Sequence, residues 1–263
     1  QQVEKAAGMP LFERRANGTY PTAAGSALVR YAHEIFGALE RAGDEFDALT
    51  RGLGGTLSIG CNFPSATYLV PWAVVQLTRA NPMLSAKVHE GPLEVLLPQL
   101  RSHAIDVVVG RWPRDSDTHD LEEHDEFEQP MVIVASPEHP LARASKVTWP
   151  QLAGCDWILP PRGSAARSDV DELFRAKKIK PRCVHIESLS AYANSFLVRE
   201  LGALSLIPAA VAKHLGGDRA FPILKVQMPA VFAPTSAITL RGTQASPAVA
   251  PFIQLLAQAV KNQ

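Results

Sequence analysis

Residues 105–109 read Ile105-Asp106-Val107-Val108-Val109, a short and nearly all-apolar β-branched run. That is the pattern of a strand covered on both faces. Upstream, Thr56-Leu-Ser-Ile-Gly60 and residues 86–89 read as further strands. A helix is expected between them, running to about Ala80 and stopped by Asn81-Pro82, and a second helix over residues 93–102. Strand, helix, strand, helix, strand in this order calls for parallel strands joined by crossover helices, hence an α/β lobe. Downstream lies a second set. Strands are expected at residues 131–135, 156–159, 184–186, 203–207 and 236–240. Helices are expected at residues 168–176, with Ser168 as N-cap and Asp171 in the first turn, and at 190–201, ending at Gly202. Pro208 halts the 203–207 strand. A last helix starts at Ser246-Pro247 and runs to about Lys261.

Before this α/β region the pattern differs. Residues 1–7 read as the end of a helix stopped by Gly8 and Pro10, and residues 13–22 as a hairpin or wing turning at Asn17-Gly18. From Thr22, a suitable N-cap, no proline occurs until past Leu49. Leu28, Ala32, Ile35, Leu39, Ala42, Phe46 and Leu49 recur at alternating steps of four and three, a heptad seam. A helix of this length spans roughly 40 Å at 1.5 Å per residue, long for one core helix. The narrow stripe with charged flanks points to a dimer-forming coiled coil, the other reading being an amphipathic helix on its own domain. Residues 51–55, Arg-Gly-Leu-Gly-Gly, break it as a hinge.

The bulk composition sets outer bounds. The chain has 263 residues, 46% hydrophobic and 20% charged, enough for more than one domain. No apolar run reaches the roughly 18 residues of a membrane span, so no membrane partner is expected. Cys61, Cys155 and Cys183 are far apart, which disfavours a metal site or disulfide framework and fits reduced thiols in a cytoplasmic protein. With 26 basic against 26 acidic residues there is no overall pull toward nucleic acid, so any DNA contact must be local. The chain opens on Gln1-Gln2 without a Met or a secretory pattern, and is expected to lack its true N-terminus.

Several phrases in order resemble the LysR-type transcriptional regulators. Gly8, Leu11, Phe12, Arg14, Thr22 and Gly25 match a Gly, Leu-Phe, Arg, Thr-x-x-Gly phrase that leads into a long helix. Gly55-Thr-Leu-Ser-Ile-Gly60, Asp106-Val-Val-Val-Gly-Arg111, His139-Pro-Leu141 and Gly202-x-x-x-Leu-Ile-Pro208 resemble later landmarks. The resemblance implies an α/β, two-lobed, periplasmic-binding-protein-like effector domain, preceded by a linker helix and the remnant of a winged helix-turn-helix. Residues 1–21 would be that remnant, 22–50 the dimerising linker helix and 51–55 the hinge. Residues 55–128 plus 230–263 would form effector lobe I, and 129–229 effector lobe II. Implied partners are promoter DNA, a small-molecule effector and further copies of the chain, as a dimer or a homotetramer built from dimers.

In open α/β sheets, ligands bind beyond the carboxyl ends of strands, often at helix N-termini. That places effector-binding candidates at Pro64, Ser65 and Ala66, at Gly91, Pro92 and Leu93, at Arg111, at Pro161, Arg162, Ser164 and Arg167, and at Ser188. Ser65 would donate to an anion or simply cap its helix. Arg111 would clamp an anionic ligand or pin the two lobes through an ion pair, and Arg162 and Arg167 sit on a loop where solvation is the plain alternative. Family members often carry a hydroxyl where this chain has Gly91-Pro92-Leu93, which leaves room for a bulkier or partly apolar ligand. An aromatic or other organic acid is the expected class. For DNA, Gln1 and Gln2 lie at the end of the implied recognition helix, where Gln pairs with adenine, and Arg14 and Arg15 near the wing suit phosphates. The alternative for Arg14 is an internal ion pair.

Catalytic signatures are lacking. His119-Asp-Leu-Glu-Glu-His124 has the wrong spacing for a zinc motif, and eight acidic residues between Asp115 and Glu128 suggest a solvated edge segment. There is no Gly-x-Ser-x-Gly elbow, Gly-x-Gly-x-x-Gly or P-loop. Cys61, near the expected cleft, reads as an oxidant sensor or, more simply, as a small buried thiol. No enzyme, cofactor or metal is therefore expected. The leading expectation is a DNA-binding regulator with a ligand-sensing domain. The alternative is a solute-binding protein of the same two-lobed fold without DNA binding.

Overall fold

The computed structural model describes residues 2–15, 18–50, 55–112, 118–215, 221–229, 232, 234–242 and 246–261. Helix α1, Gln2–Ala7, ends at Gly8, whose φ of +66° suits a residue without Cβ. Strands β1, Phe12–Arg15, and β2, Gly18–Pro21, form the expected antiparallel hairpin, Arg15 opposite Gly18. Asn17, expected in the turn, lies outside the described residues. The Glu4 carboxylate accepts the N–H groups of Leu11 at 3.0 Å and Phe12 at 3.3 Å, and these bonds hold its pKa below the usual value. The Thr22 hydroxyl donates to the Pro10 carbonyl at 3.0 Å and accepts the Gly25 N–H at 3.0 Å, so it caps the next helix while tying it to the hairpin.

That helix, α2, spans Ala23–Thr50, 28 residues. Two glycines set its path. A Cβ at Gly25 would lie 1.8 Å from the Leu11 carbonyl oxygen, and one at Gly37 only 1.7 Å from that of Ser102. Of the expected seam, Leu28, Ile35, Leu39 and Phe46 are exposed, the last three 60–68%, and Ala32 and Ala42 are half-buried. The side chain of Leu49 lies outside the described residues. Val29, Tyr31 and Phe36 are exposed too, so the apolar surface is wider than a strict seam.

Next come β3 (Thr56–Cys61), α3 (Phe63–Thr67), α4 (Leu69–Ala80), β4 (Ser85–Glu90), α5 (Leu93–Arg101), β5 (Val107–Arg111) and β6 (Leu121–Phe127). The one helix expected after β3 is two, broken at Tyr68. Pro71 supplies the reason, since it has no N–H for the Thr67 carbonyl and its ring crowds that carbonyl. The acidic segment expected as a solvated edge is an edge strand. The sheet order is β4-β3-β5-β11-β6, where β11 is Thr235–Leu240, returning from late in the chain. β3 runs parallel to β4 and β5, whereas β11 is antiparallel to both β5 and β6, so the expected parallel sheet is mixed. A bulge at Asp125, with φ +32°, shifts the β6 register. One face of the sheet packs Leu57 and Ile59 against Leu77 of α4 and against Phe252 and Leu256 of α10, Val249–Lys261. The other packs Val108 and Ile238 against Leu96 and Leu100 of α5. α10 starts later than expected, with Pro247 and Ala248 in the preceding turn.

Between β6 and β11 the chain builds a second sheet. Its elements are β7 (Met131–Val134), α6 (Trp149–Ala153), β8 (Asp156–Leu159), α7 (Ala165–Ala176), β9 (Arg182–Glu187), α8 (Ala191–Leu201), β10 (Leu204–Pro208) and α9 (Ala209–His214). The order is β7-β10-β8-β9, with only the β7–β10 pair antiparallel. Its core centres on Trp157, fully buried, whose indole N–H donates to the Leu152 carbonyl at 3.0 Å and whose ring meets Phe174 edge-on at 5.1 Å. α7 starts one turn before its expected N-cap: Ser164, not Ser168, accepts the Arg167 N–H, at 3.2 Å. Gly202 closes α8 with φ +63°, as expected. Among the described residues no helix is long and apolar enough to cross a membrane.

Candidate functional site

The two sheets point their strand ends at one another across a cleft, with a cavity volume of about 190 Å³. From the first lobe, β3 delivers Asn62, Phe63 and Pro64, β4 delivers Gly91, Pro92, Leu93 and Glu94, and β5 delivers Arg111. From the second come Ile158, Ser164, Ser188, Asn194 of α8, Ser205 of β10 and Val211 of α9. Gly110 has a local reason: a Cβ there would stand 2.9 Å from Leu93 Cδ2, so its absence lets Leu93 fold over the strand end. Asn62 caps α3, its Oδ1 accepting the Ser65 N–H at 3.1 Å.

The sequence candidates divide. Pro64, Gly91, Pro92, Leu93, Arg111, Ser164 and Ser188 line the cleft. Ser65, Ala66, Pro161, Arg162 and Arg167 are not in its wall. Ser65 is fully buried, with no partner for its Oγ among the described residues. Ala66 packs on the first-lobe core. The Pro161 carbonyl accepts the Ser164 hydroxyl at 2.7 Å. Arg162 is 83% exposed beside Glu187. Arg167 is held by Asp171 at 2.9 Å, the Pro160 carbonyl at 3.1 Å and Glu187 at 3.4 Å. Both loop arginines thus serve a local ion-pair network, so neither extends into the cleft.

Arg111 spans the lobes. It pairs with Asp169 of α7, and its guanidinium lies 5.4 Å from the Phe232 ring centre. Both partners are largely buried. A second tie is Tyr68 to His214, ring centres 6.5 Å apart. Sequence reading missed Asn62, Glu94, Asp169, Asn194 and Ser205. Asn62 had a signal, an Asn directly after a strand with proline two residues on, the phrase of a helix start. Asp169 and Asn194 had none, because each lies inside a helix and meets the cleft only through tertiary placement.

Other titratable groups have structural explanations. Cys61 is fully buried at the end of β3, and burial, aided by the nearby Glu90 charge, pushes its thiol up to about 12. Arg101 grips Asp120 through two bonds, 2.7 and 3.0 Å, and these hold that carboxyl below its usual value. His124 Nε2 lies 2.7 Å from Thr239 Oγ1 across the β6–β11 pair. Of the DNA candidates, Gln2 and Arg14 are exposed, on α1 and β1. Gln1 and the side chain of Arg15 lie outside the described residues.

Two α/β lobes, connected by two chain crossings and facing each other over an apolar cleft, define the periplasmic-binding-protein-like class of two-lobed folds. Residues 50–261 match the family model described as the LysR substrate binding domain, and the chain belongs to that family. It is similar to the HTH-type transcriptional regulator GbpR of Azospirillum brasilense, 32% identical over 212 residues, covering 80% of this chain and 62% of that protein. The chain thus spans about three fifths of that relative's length. Among solved structures it resembles full-length CbnR complexed with its target DNA, with a TM-score of 0.71 at 23% identity, over 98% of this chain and 87% of that one. It also resembles the CcmR regulatory domain of Synechocystis PCC6803 in complex with 2-PG, with a TM-score of 0.68 at 20% identity, over 79% of this chain and 98% of that one.

Proposed function

We propose that this chain is the dimerising and sensing part of a LysR-type, DNA-binding transcription regulator, acting in the cytoplasm and without enzymatic turnover. A small molecule occupies the cleft, α2 joins copies of the chain into a dimer or a dimer of dimers, and α1 with the β1–β2 hairpin belongs to the DNA-reading head. The observation that carries this is the cleft itself, an apolar cavity at the strand ends of two lobes that Arg111 and Asp169 hold together. A ligand that prefers one lobe arrangement shifts the population of that arrangement, and α2, packed on the first lobe at Gly37, carries the shift toward the DNA end.

The test is binding of the full-length protein to promoter DNA, by fluorescence anisotropy at several salt concentrations, with and without a cleft ligand. A site-specific affinity that falls steeply with salt is expected, because phosphate contacts release counterions. Saturable ligand binding to a protein with no site-specific DNA affinity would instead favour a stand-alone solute-binding protein.

A further inference from the structure

Asn194 stands on α8 in the wall of the cleft and is only 7% exposed. Its Nδ2 donates to Ser205 Oγ at 3.3 Å, and Ser205 is itself buried in β10. Its Oδ1 has no hydrogen-bond partner among the described residues. A buried amide oxygen without a donor is an expensive arrangement, and here it borders a cavity.

The hydroxyls of Ser164 and Ser188, the Asn62 oxygen and the Arg111 guanidinium are already engaged. The Ser164 hydroxyl is used by the Pro161 carbonyl and the Arg167 N–H, and that of Ser188 by the Ser190 N–H at 3.1 Å. The Asn62 oxygen caps α3. Arg111 is neutralised by Asp169. Glu94 and Arg111 are the only charged side chains among the described lining residues, so with Asp169 counted the site carries a net negative charge. An incoming carboxylate that takes Arg111 from Asp169 leaves a buried carboxylate unpaired, and one that shares Arg111 with Asp169 adds a second negative charge against a single cation, with Glu94 also on the lining. A neutral donor meets neither penalty.

We infer that the cleft selects an uncharged, largely apolar molecule bearing a hydroxyl or N–H donor for Asn194 Oδ1, and that Asp169 excludes carboxylates by occupying Arg111. This rests on the reading of the cleft as the ligand site and replaces the organic acid expected from sequence. Phe63, Leu93, Ile158, Val211 and Phe232 supply the apolar walls.

Benzyl alcohol and benzoate share a ring and differ in the group that matters. Each is titrated calorimetrically into the wild-type chain, Asp169→Asn and Asn194→Ala at neutral pH. The wild type should bind benzyl alcohol at least about tenfold more tightly than benzoate. Asn194→Ala should lose most of that preference. Asp169→Asn, which releases Arg111, should raise benzoate affinity by about tenfold or more. Equal or tighter benzoate binding by the wild type overturns the inference but leaves the ligand-site reading standing, as does a benzoate affinity unmoved by Asp169→Asn. Failure of all three proteins to take up either compound overturns the ligand-site reading, and the inference with it. The wild-type comparison decides the class even where a variant folds poorly.

Discussion

His139 Nδ1 accepts the Leu141 N–H at 3.1 Å, which requires a neutral ring, and burial holds its pKa below the ordinary 6.5. A base with a depressed folded pKa binds fewer protons folded than unfolded. Its contribution is therefore complete above pH 6.5 and is lost as the pH falls below that value toward the folded pKa. Melting temperature should drop as the pH falls below 6.5, and His139→Gln should flatten that part of the profile. Cys61 is protected by the same kind of burial: iodoacetamide at pH 8 should alkylate Cys155 well before Cys61, and peptide mass mapping reads the order. Equal rates in the folded protein would contradict its place in the core. Gly25→Ala drives a methyl into the Leu11 carbonyl and should destabilise by about 1–3 kcal/mol in urea unfolding. The resemblance marked Gly25 as part of a phrase, but only the structure gives the steric reason.

At the scale of elements, α2 carries the sharpest expectation. Ile35, Leu39 and Phe46 are exposed on the isolated chain, and burying each large apolar side chain contributes about 1.5–3 kcal/mol. Leu39→Asp with Phe46→Asp should halve the molar mass in light scattering at micromolar concentration. An unchanged mass would make this stripe ordinary surface. The helix was legible because its heptad repeat runs from Leu28 to Leu49 and no proline interrupts its 28 residues. β6 was not legible as a strand, because its Glu122, Glu123 and Asp125 mask any alternation and only Leu121 and Phe127 mark the buried face. Charge on an edge strand also discourages further pairing, so the feature that hid the strand guards it. The α7 start was misplaced because two serines offered themselves as caps, and Ser164, just after the Pro161-Arg-Gly turn, captured the end first.

At the scale of the molecule, the α/β order was readable from local runs, but the antiparallel β11 between β5 and β6 was not, because more than a hundred residues separate it from β6. The cleft was half legible. Strand ends named Pro64, Gly91 and Arg111, whereas the partners that give the site its charge and its open acceptor, Asp169 and Asn194, come from helix interiors of the other lobe. The Arg111–Asp169 pair also predicts a coupling between lobes. Arg111→Gln or Asp169→Asn alone should each lower the unfolding free energy by about 1–3 kcal/mol, with the double variant losing clearly less than the sum. Strict additivity in urea titrations would show that the pair does not tie the lobes.

The close passage of Gly37 over the Ser102 carbonyl gives α2 a pivot point on the first lobe. Backbone meets backbone there, with no side chain between. From Gly37 to Ala23 the arm is about 21 Å at 1.5 Å per residue, so each degree of lobe rotation swings its far end by about 0.4 Å. A tilt of ten degrees would thus move the hairpin end by about 4 Å, close to the rise of one base-pair step.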